Sequence, residues 1–369
     1  MPSKPIHVVA VVGARPNFIK MSALYRELSS RPAFRVTLLH TRQHYDENLS
    51  EVFFRQLEMP RPDVQLEIPR GSHASQTADT MREFDLALDR LSPADLVLVV
   101  GDVNSTLACS LVAVKRGLRV AHVEAGLRSF NWAMPEEINR VITDRISDFL
   151  FTPSAEADLN LEREGIPAER IFRVGNVMID TLLSHREAAR ACRVPEGLGL
   201  VRGRYAVATL HRQENVEDAQ TLEGLWRALA GAGASLPVVF PVHPRTRQRL
   251  EARAGIRTQE ATGVRLLEPL GYMEFLDLVS DARVVLTDSG GLQEETTILG
   301  VPCLTLRGET ERPITVSHGT NRVVGVRPED ILAALREVLA AGAAPRPAPP
   351  LWDGQAARRV AEVLERVLP

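Results

Sequence analysis

The sequence predicts an α/β protein with two Rossmann-like, doubly wound domains. Short apolar runs rich in Val, Leu and Ile alternate with stretches of helical period, which is typical of parallel sheets covered by helices. Turns containing glycine or proline follow several of these runs, as expected where a strand passes into a helix. The alternation breaks after about residue 190 and restarts near residue 203, so two domains are expected, over residues 1–190 and 203–344.

The first half contains six predicted strands, each a short, mostly apolar run bounded by turn-forming residues. In chain order they are Ile6–Val12, Arg35–His40, Asp95–Val100, Arg119–Val123, Phe149–Thr152 and Ile171–Val174. The predicted helices run from Pro16 to about Leu28, over Thr77–Leu91, to about Lys115, over Glu136–Ile146, over Ser154–Glu164 and to about Ala191. Asn104 or Ser105 is placed to cap the helix that ends near Lys115, and Met59–Gln76 is predicted as a loop.

The second half repeats this pattern after Cys192–Arg202, whose proline and two glycines predict a linker. Its predicted strands are Tyr205–Leu210, Val238–Val242, Val264–Leu267, Arg283–Thr287, Pro302–Leu306 and Arg322–Val324. The proline-rich stretch Pro345–Pro350 predicts a second linker, and Leu351–Leu368 a last helix.

The most informative stretch is Val284–Gly300, which predicts a strand, a glycine turn and a helix ended by Gly300. Such a unit leaves backbone N–H groups unpaired at the helix N-terminus, where an anion is favoured. Gly290 and Gly291 let that backbone approach phosphate oxygens, and Glu294 or Glu295 could accept from sugar hydroxyls. The stretch therefore indicates a phosphorylated sugar, with an ordinary glycine-rich turn as the alternative.

Composition argues against several kinds of partner. A net charge of -3 and a pI near 6.3 give no sign of a nucleic-acid or membrane surface. No apolar run approaches the ~20 residues that span a bilayer. Cys109, Cys192 and Cys303 form no CxxC pair and are expected to be small buried residues of a reduced, cytosolic protein without a signal peptide.

Several cofactor and metal motifs are missing from the sequence. No glycine-rich dinucleotide fingerprint opens a strand–helix turn, and no Walker-type loop, Asp-x-Asp pair or zinc-protease histidine spacing occurs. A sugar phosphate would therefore be held by Arg, Lys and His side chains and backbone N–H groups, with no metal or cofactor expected.

Polar side chains follow many of the predicted strands at their carboxyl ends. They are Arg15, Gln43, Asp102 and Glu124 in the first half, and His211, His243, Glu268 and Ser289 in the second. Open α/β sheets bind ligands at this edge. Two facing sheets would collect these groups in one interdomain cleft.

With these motifs in place, the sequence resembles the non-hydrolysing UDP-N-acetylglucosamine 2-epimerases from about residue 6 to residue 325. In the first half, the matching segments are Gly13–Lys20, Gln43-His44, Gly101-Asp102, His122–Arg128, Met134–Arg140, Gly175-Asn176 and Ile179-Asp180. In the second half they are His211–Asn215, Glu268–Leu270, Thr287–Glu295 and Thr310–Pro313. Each motif is modest, but their unchanged order is highly specific.

The resemblance implies a glycosyltransferase-B-like fold with UDP in the cleft, and a final helix, 351–369, that packs back on the first domain. It implies inversion at sugar C2 by a homodimer, through loss and re-addition of UDP. The implied catalytic residues are Asp102, Glu124, Glu136 and His211. The implied substrate contacts are Arg15, Lys20, Arg140, Phe275 beside the uracil, Ser289, Gly290 and Gly291 on the diphosphate, and Glu295 on the ribose.

Each of these assignments has a purely structural alternative. Asp102 could cap its helix, Glu124 could pair with Arg128, and Glu136 could serve only the helix dipole. His211 and Phe275 could be core residues. For the whole chain, the alternatives are a glycosyltransferase of the same fold, a UDP-sugar binder without turnover, and a hydrolysing relative.

The sequence departs from the family at the site where a second UDP-sugar activates many bacterial members. Gln43, His44 and His243 remain as second-site candidates, but Asp46 and Ser75 stand where a Gln and an Arg are usual. A carboxylate and a hydroxyl there would disfavour an anionic ligand, so little or no activation is expected. The Gln43–Asp46 form also resembles members that act on UDP-2,3-diacetamido sugars and their uronic acids.

Overall fold

The computed structural model describes residues 4–42, 54–91, 93–253, 262–341 and 347–368. The chain divides into two compact units, residues 1–183 with 350–369, and residues 184–349. Each unit carries one parallel sheet with helices, so the predicted α/β class with two Rossmann-like sheets is confirmed. Within the described ranges, none of the helices has the length and hydropathy needed to cross a membrane.

The sheet of the first unit has seven parallel strands in the order β3-β2-β1-β4-β5-β6-β7. The strands are β1 Ile6–Val12, β2 Phe34–His40, β3 Val64–Gln65, β4 Leu96–Val100, β5 Arg119–Val123, β6 Phe149–Thr152 and β7 Ile171–Arg173. The strand order reverses direction between β1 and β4, which is the point where open α/β sheets bind ligands.

The helices of the first unit follow its strands. They are α1 Arg15–Ser29, α2 His73–Arg90, α3 Asn104–Lys115, α4 Pro135–Ile146, α5 Ala155–Arg163 and α6 Val177–Arg190, which contains the boundary between the units. A 3₁₀ turn, Ala168–Arg170, precedes β7. One core cluster joins apolar residues of β1 and β4 to residues such as Phe84 of α2 and Cys109 of α3.

Two local predictions in the first unit are wrong. The predicted loop Met59–Gln76 contains β3 and the first turn of α2, which begins at His73 because the Ser72 side chain accepts from Ser75 N. The N-cap of α3 is Val103, with no side-chain cap, whereas Asn104 and Ser105 are buried inside the helix. The Asn104 amide instead bonds to the side chains of other elements.

The sheet of the second unit has six parallel strands in the order β10-β9-β8-β11-β12-β13. The strands are β8 Ala206–Thr209, β9 Val238–Pro241, β10 Val264–Leu267, β11 Val284–Thr287, β12 Cys303–Thr305 and β13 Asn321–Val323. The helices are α7 Val194–Gly197, α8 Gln213–Val216, α9 Ala219–Gly233, α10 Pro244–Arg253, α11 Tyr272–Ser280, α12 Gly290–Leu299, α13 Ile314–Ser317 and α14 Pro328–Ala341.

The segment Cys192–Arg202, predicted as a linker, is bonded into the second unit. It contains α7, whose Val194 N donates to Asp277 Oδ2 over 2.7 Å. The Arg202 guanidinium reaches the carboxylates of Asp277 and Asp281. Cys192 is exposed, contrary to the expectation of burial that Cys109 and Cys303 meet.

The first unit is completed by the end of the chain. Helix α15, Ala356–Val367, packs against α1, and the Asp180 carboxylate accepts from Ala356 N (3.1 Å) and Ala357 N (2.7 Å) at its first turn. The Trp352 indole donates to the Pro153 carbonyl over 2.9 Å. These contacts attach residues 350–368 to the helices and loops of residues 4–183.

The attachment of residues 350–368 to the first unit depends on a glycine, Gly175. We therefore expect Gly175→Ala to weaken this attachment. Gly175 has φ +90°, and a Cβ there would overlap the Leu351 carbonyl oxygen. Gly165→Ala is the matched control, because its φ is +75° but its Cβ would meet nothing within 4 Å. We expect Gly165→Ala to cost about 1 kcal/mol of unfolding free energy, from left-handed strain alone, and Gly175→Ala at least about 2 kcal/mol more.

Denaturant unfolding measures both free energies, and hydrogen exchange locates the loss. We expect Gly175→Ala to speed amide exchange over residues 350–368. If the two substitutions lowered the free energy of unfolding equally, the close approach of Leu351 to Gly175 would contribute nothing to stability.

Candidate active site

Two acidic residues lie at the carboxyl edge of the first sheet, close to the point where the strand order reverses between β1 and β4. Asp102 follows β4, and Glu124 follows β5. Strands β4 and β5 pair in register up to Val100 and Val123. Asp102 and Glu124 therefore leave the sheet side by side. Glu124 has φ +73°, in the left-handed region that few non-glycine residues adopt, and Asp102 follows a glycine, Gly101, that takes φ +67°. Strain of this kind is concentrated at functional sites.

Glu124 forms an ion pair with Lys20 of α1, and each side chain is only 7% exposed. The pair lies against the backbone before Asp102, since a Cβ on Gly101 would be 3.2 Å from Lys20 Nζ and 3.4 Å from Glu124 Oε2. The alternative in which Glu124 pairs with Arg128 is wrong. The ion pair holds the Glu124 carboxylate in place at the end of β5.

Asp102 is held by α4 and does not cap α3. Its Oδ2 accepts from Arg140 Nη2 over 2.5 Å, and its carbonyl accepts from Asn139 Nδ2 over 2.9 Å. The Asp102 side chain is 28% exposed, whereas Arg140 is 4% exposed. Arg140 therefore orients the Asp102 carboxylate, while part of the Asp102 side chain remains exposed at the edge of the sheet.

Glu136 lies in the first turn of α4, half-buried, and forms no ion pair with the described residues. Its neighbour Glu137 is the buried partner of Arg140, at 2.5 Å, and also accepts from Ser129 N and Phe130 N. Sequence reasoning missed Glu137. The spacing of three residues from Glu137 to Arg140 on one helix could have revealed this pair.

In the second unit, His211 and Asp288 lie together where the strand order reverses, between β8 and β11. Thr209 and Thr287 end the two strands in register. The Asp288 carboxylate is fully buried and accepts from His211 N (2.9 and 3.0 Å) and Arg212 N (3.0 Å). It also accepts from Asn215 Nδ2 over 3.0 Å. His211 itself is exposed, so the core-histidine alternative is wrong.

Ser289 caps α12, and its hydroxyl accepts from Leu292 N. Gly290 and Gly291 form the first turn of the helix, and a Cβ on Gly290 would overlap Arg312 Nη1. Arg312 pairs with Glu294 over 2.9 Å, and both side chains are at least nine-tenths buried. The helix N-terminus thus has a guanidinium packed on its glycine backbone, a combination suited to an anion.

Glu295 is the more suitable acceptor of the two glutamates, because Glu294 forms an ion pair with Arg312. Glu295 is 7% exposed and accepts from the Tyr272 hydroxyl over 3.3 Å. Burial raises the pKa of its carboxyl to about 7. Phe275, on the same helix as Tyr272, is half-buried and packs against the apolar core of the second unit.

The remaining site predictions have less structural support. The backbone of Arg15 begins α1, but its side chain, with Gln43, His44 and Asp46, lies outside the described residues. His243 follows β9 and its Nδ1 accepts from Arg245 N over 3.3 Å. Glu268, after β10, is 77% exposed and pairs with Arg247 over 3.2 Å.

The raised pKa of Glu295 predicts a pH-dependent stability. A carboxyl that binds its proton more tightly in the folded state contributes stability below its unfolded pKa of about 4.5 and loses it as pH rises through about 7. We expect the unfolding free energy of the wild type, relative to Glu295→Gln, to fall by about 3 kcal/mol between pH 4 and pH 7.5. Denaturant titrations at several pH values test this, and a constant difference would contradict it.

Comparison with known proteins identifies one group of relatives. A family model described as UDP-N-acetylglucosamine 2-epimerase matches residues 26–365. A UDP-N-acetylglucosamine 2-epimerase homolog of Methanococcus maripaludis is 44% identical, covering 88% of this chain and 90% of the relative. The UDP-2,3-diacetamido-2,3-dideoxy-D-glucuronate 2-epimerase of Pseudomonas aeruginosa is 41% identical over 98% of this chain and 99% of its own.

Among solved structures, the Methanocaldococcus jannaschii UDP-GlcNAc 2-epimerase in complex with UDP-GlcNAc and UDP is similar throughout. It has a TM-score of 0.90 and 39% identity, covering 98% of this chain and 100% of that one. The match confirms the predicted glycosyltransferase-B-like class of two Rossmann-like domains.

Proposed function

The chain belongs to the UDP-N-acetylglucosamine 2-epimerase family, which consists of isomerases, and we propose that it interconverts UDP-N-acetylglucosamine and UDP-N-acetylmannosamine. The observation that carries the proposal is the pair of acidic side chains, Asp102 and Glu124, at adjoining strand ends, each held by a cation. Inversion at a sugar carbon needs such groups, because a proton leaves one face and another is added to the opposite face.

The chemistry follows from the weakness of the C2–H acid. No carbonyl adjoins C2, so its proton is removed most easily as UDP departs from C1. The C2–H electron pair then forms the C1–C2 double bond of a 2-acetamidoglucal, and the C1–O bond pair leaves with UDP. In the return step UDP re-adds at C1 and a proton is delivered to the other face of C2. No net oxidation occurs, and no oxidant or reductant is consumed.

The acidic residues of the first unit are assigned the proton transfers of this reaction. Glu124 and Asp102 take and deliver the C2 proton, with Glu136 as a third candidate acid. A positioned acid or base contributes typically ~10²–10⁴-fold. Lys20 and Arg140 keep the first two carboxylates oriented. Orientation matters because a small misplacement of a catalytic group is costly.

For the nucleotide, we assign the diphosphate to Ser289, Gly290 and Gly291 at the N-terminus of α12, with Arg15 and His211 as further contacts. The support is the exposed position of His211 and the glycine backbone packed by Arg312. Glu295 is assigned to the ribose, whose hydroxyls would donate to its buried carboxylate. Phe275 is assigned to the uracil.

One experiment tests the proposal directly: incubation with UDP-N-acetylglucosamine in D₂O, followed by NMR at C2. We expect deuterium at C2 in a mixture of both epimers with UDP still attached. A transferase or a binder would leave C2 protonated, and a hydrolysing enzyme would release the free sugar. Either result would overturn the proposal.

A second candidate substrate is a UDP-2,3-diacetamido sugar or its uronic acid. The Pseudomonas aeruginosa relative, named for such a substrate, is 41% identical over almost the whole chain, which favours this alternative. Comparing kcat/KM for the two UDP-sugars on the same preparation decides between them. The epimerase chemistry above is the same for both.

We also propose that the enzyme needs no second UDP-sugar as an activator. Ser75, where an Arg is usual, is exposed and bonded to Ser72 at the start of α2. When UDP-N-acetylmannosamine is supplied with no trace of the gluco epimer, we expect immediate linear turnover. A long lag that disappears on adding catalytic UDP-N-acetylglucosamine would contradict this.

We further propose a cytosolic homodimer. Four exposed apolar side chains support the dimer, since they lie on α2, α3 and α4, which pack side by side: Leu86, Val114, Ile138 and Ile142. Exposed apolar side chains on neighbouring helices are suited to association with a second subunit. Analytical ultracentrifugation at micromolar concentration tests it, and a monomer there would refute it.

A further inference from the structure

We propose that His122 is a positioning residue, held as an imidazolium with a proton on each ring nitrogen, that fixes the two backbone turns carrying Asp102 and Glu124. The role in turnover rests on the proposed function, whereas the protonation state does not. His122 lies on β5, fully buried, two residues before Glu124.

The first observation is that both ring nitrogens of His122 face acceptors. Nδ1 lies 2.7 Å from Asp144 Oδ1, and Nε2 lies 2.8 Å from the Gly101 carbonyl oxygen. A neutral imidazole donates from one nitrogen and presents a lone pair at the other. In either neutral tautomer, one ring nitrogen would face a buried oxygen with a lone pair in place of a proton. The imidazolium donates a hydrogen bond to each of the two oxygens.

The second observation is that Asp144 is a carboxylate. Its Oδ2 accepts from Arg128 Nη1 over 2.7 Å and from Gly126 N over 3.0 Å. Burial alone would raise the pKa of this carboxyl, but His122 and Arg128 together lower it below its usual value. Asp144 thus has no proton of its own to give to His122 Nδ1.

The third observation is the charge balance of the cluster. Arg128 also forms a two-pronged pair with Glu164, at 2.7 Å for each bond. Arg128, Asp144 and His122 are at most 1% exposed in their side chains, and Glu164 is 34% exposed. With an imidazolium the cluster holds two cations and two anions. With a neutral His122 the four-residue cluster would carry one negative charge in excess.

The cluster is joined to the backbone on both sides of the candidate site. His122 binds the carbonyl of Gly101, which directly precedes Asp102 and has φ +67°. Asp144 binds Gly126 N, two residues after Glu124, where φ is +80°. The second turn also contains Glu124, whose φ of +73° is rare for a residue other than glycine, so these bonds help to hold both carboxylates in place.

His7 provides a matched control in the same sheet. It is 1% exposed on β1, and its Nδ1 lies 3.1 Å from the Pro93 carbonyl oxygen. Its Nε2 lies 2.8 Å from the Thr37 hydroxyl, which can donate as well as accept. A neutral His7 therefore satisfies both contacts, and no second proton is required.

The protonation state is tested by NMR of the full-length wild type labelled with ¹⁵N-histidine at pH 8.5, where exposed histidines are neutral. We expect one histidine with both ring nitrogens protonated, and its signals should vanish in His122→Gln but persist in His7→Gln. Only neutral histidines in the wild type would overturn the proposal, whether or not any variant folds.

Kinetics test the positioning role. We expect His122→Gln to lower kcat at least ten-fold through displaced carboxylates, with KM and UDP affinity changed less than two-fold. His7→Gln should change none of these values. A folded His122→Gln with wild-type kcat would overturn the role. Absence of C2 exchange in the wild type would refute the proposed function and leave the NMR result standing.

Discussion

Asp102→Asn and Glu124→Gln are each expected to lower kcat for epimerisation by at least ~10²-fold, the smallest loss typical of removing a general acid or base. The amides keep the shape of the side chains and lose the ability to take a proton. Substrate binding should be largely retained, because the nucleotide contacts are assigned to other residues, most of them in the second unit. Initial rates by NMR give kcat, and calorimetry with UDP gives the affinity.

Glu136→Gln is expected to lower kcat by a similar factor if its half-buried carboxylate is the third acid. Glu67→Gln, an exposed acidic residue of the first unit, is the control and should leave kcat unchanged. Wild-type turnover in any of the three variants would remove that residue from the catalytic set.

Asp288→Asn is expected to destabilise the second unit by about 3 kcal/mol and to weaken UDP binding. The Asp288 carboxylate accepts from two backbone N–H groups and the Asn215 amide, and it is fully buried. The N–H groups of the new amide would face the N–H donors that now bind the carboxylate. An unsatisfied buried polar group costs ~1–3 kcal/mol, and more when the group it replaces was charged. The turn that presents His211 should then shift.

His211→Ala separates the two effects. Its side chain is exposed, so its loss should leave the unfolding free energy within about 0.5 kcal/mol of the wild type. UDP affinity should still fall, measured by calorimetry. An Asp288→Asn variant with wild-type stability would mean that these hydrogen bonds do not hold the turn.

Much of the architecture could be predicted because it depends on local patterns. A buried parallel strand is a short apolar run, so Phe149–Thr152 and Arg119–Val123 were predicted with their exact observed bounds. Gly300 ends α12 with φ +72°, as the sequence predicted from its position. The polar residues after each strand were found for the same reason, since their position depends only on where a strand ends.

The remaining features depend on contacts between distant residues. The pairing of Lys20 with Glu124 spans 104 residues, and that of Asp102 with Arg140 spans 38. No local pattern shows which cation meets which carboxylate, so the plausible pair Glu124–Arg128 was wrong. Strand β3 has two residues, too few for any periodicity. Its pairing with β2 is what makes it a strand.

The attachment of residues 350–368 to the first unit has a consequence for how the protein is made. On a ribosome, residues 184–349 are synthesised before the helix that packs against α1. The second unit can therefore fold while the first still lacks its last element. Until then the α1 face stays uncovered, and the Asp180 carboxylate has no helix to cap. The step that completes the first domain thus comes only after residues 356–367 have left the ribosome.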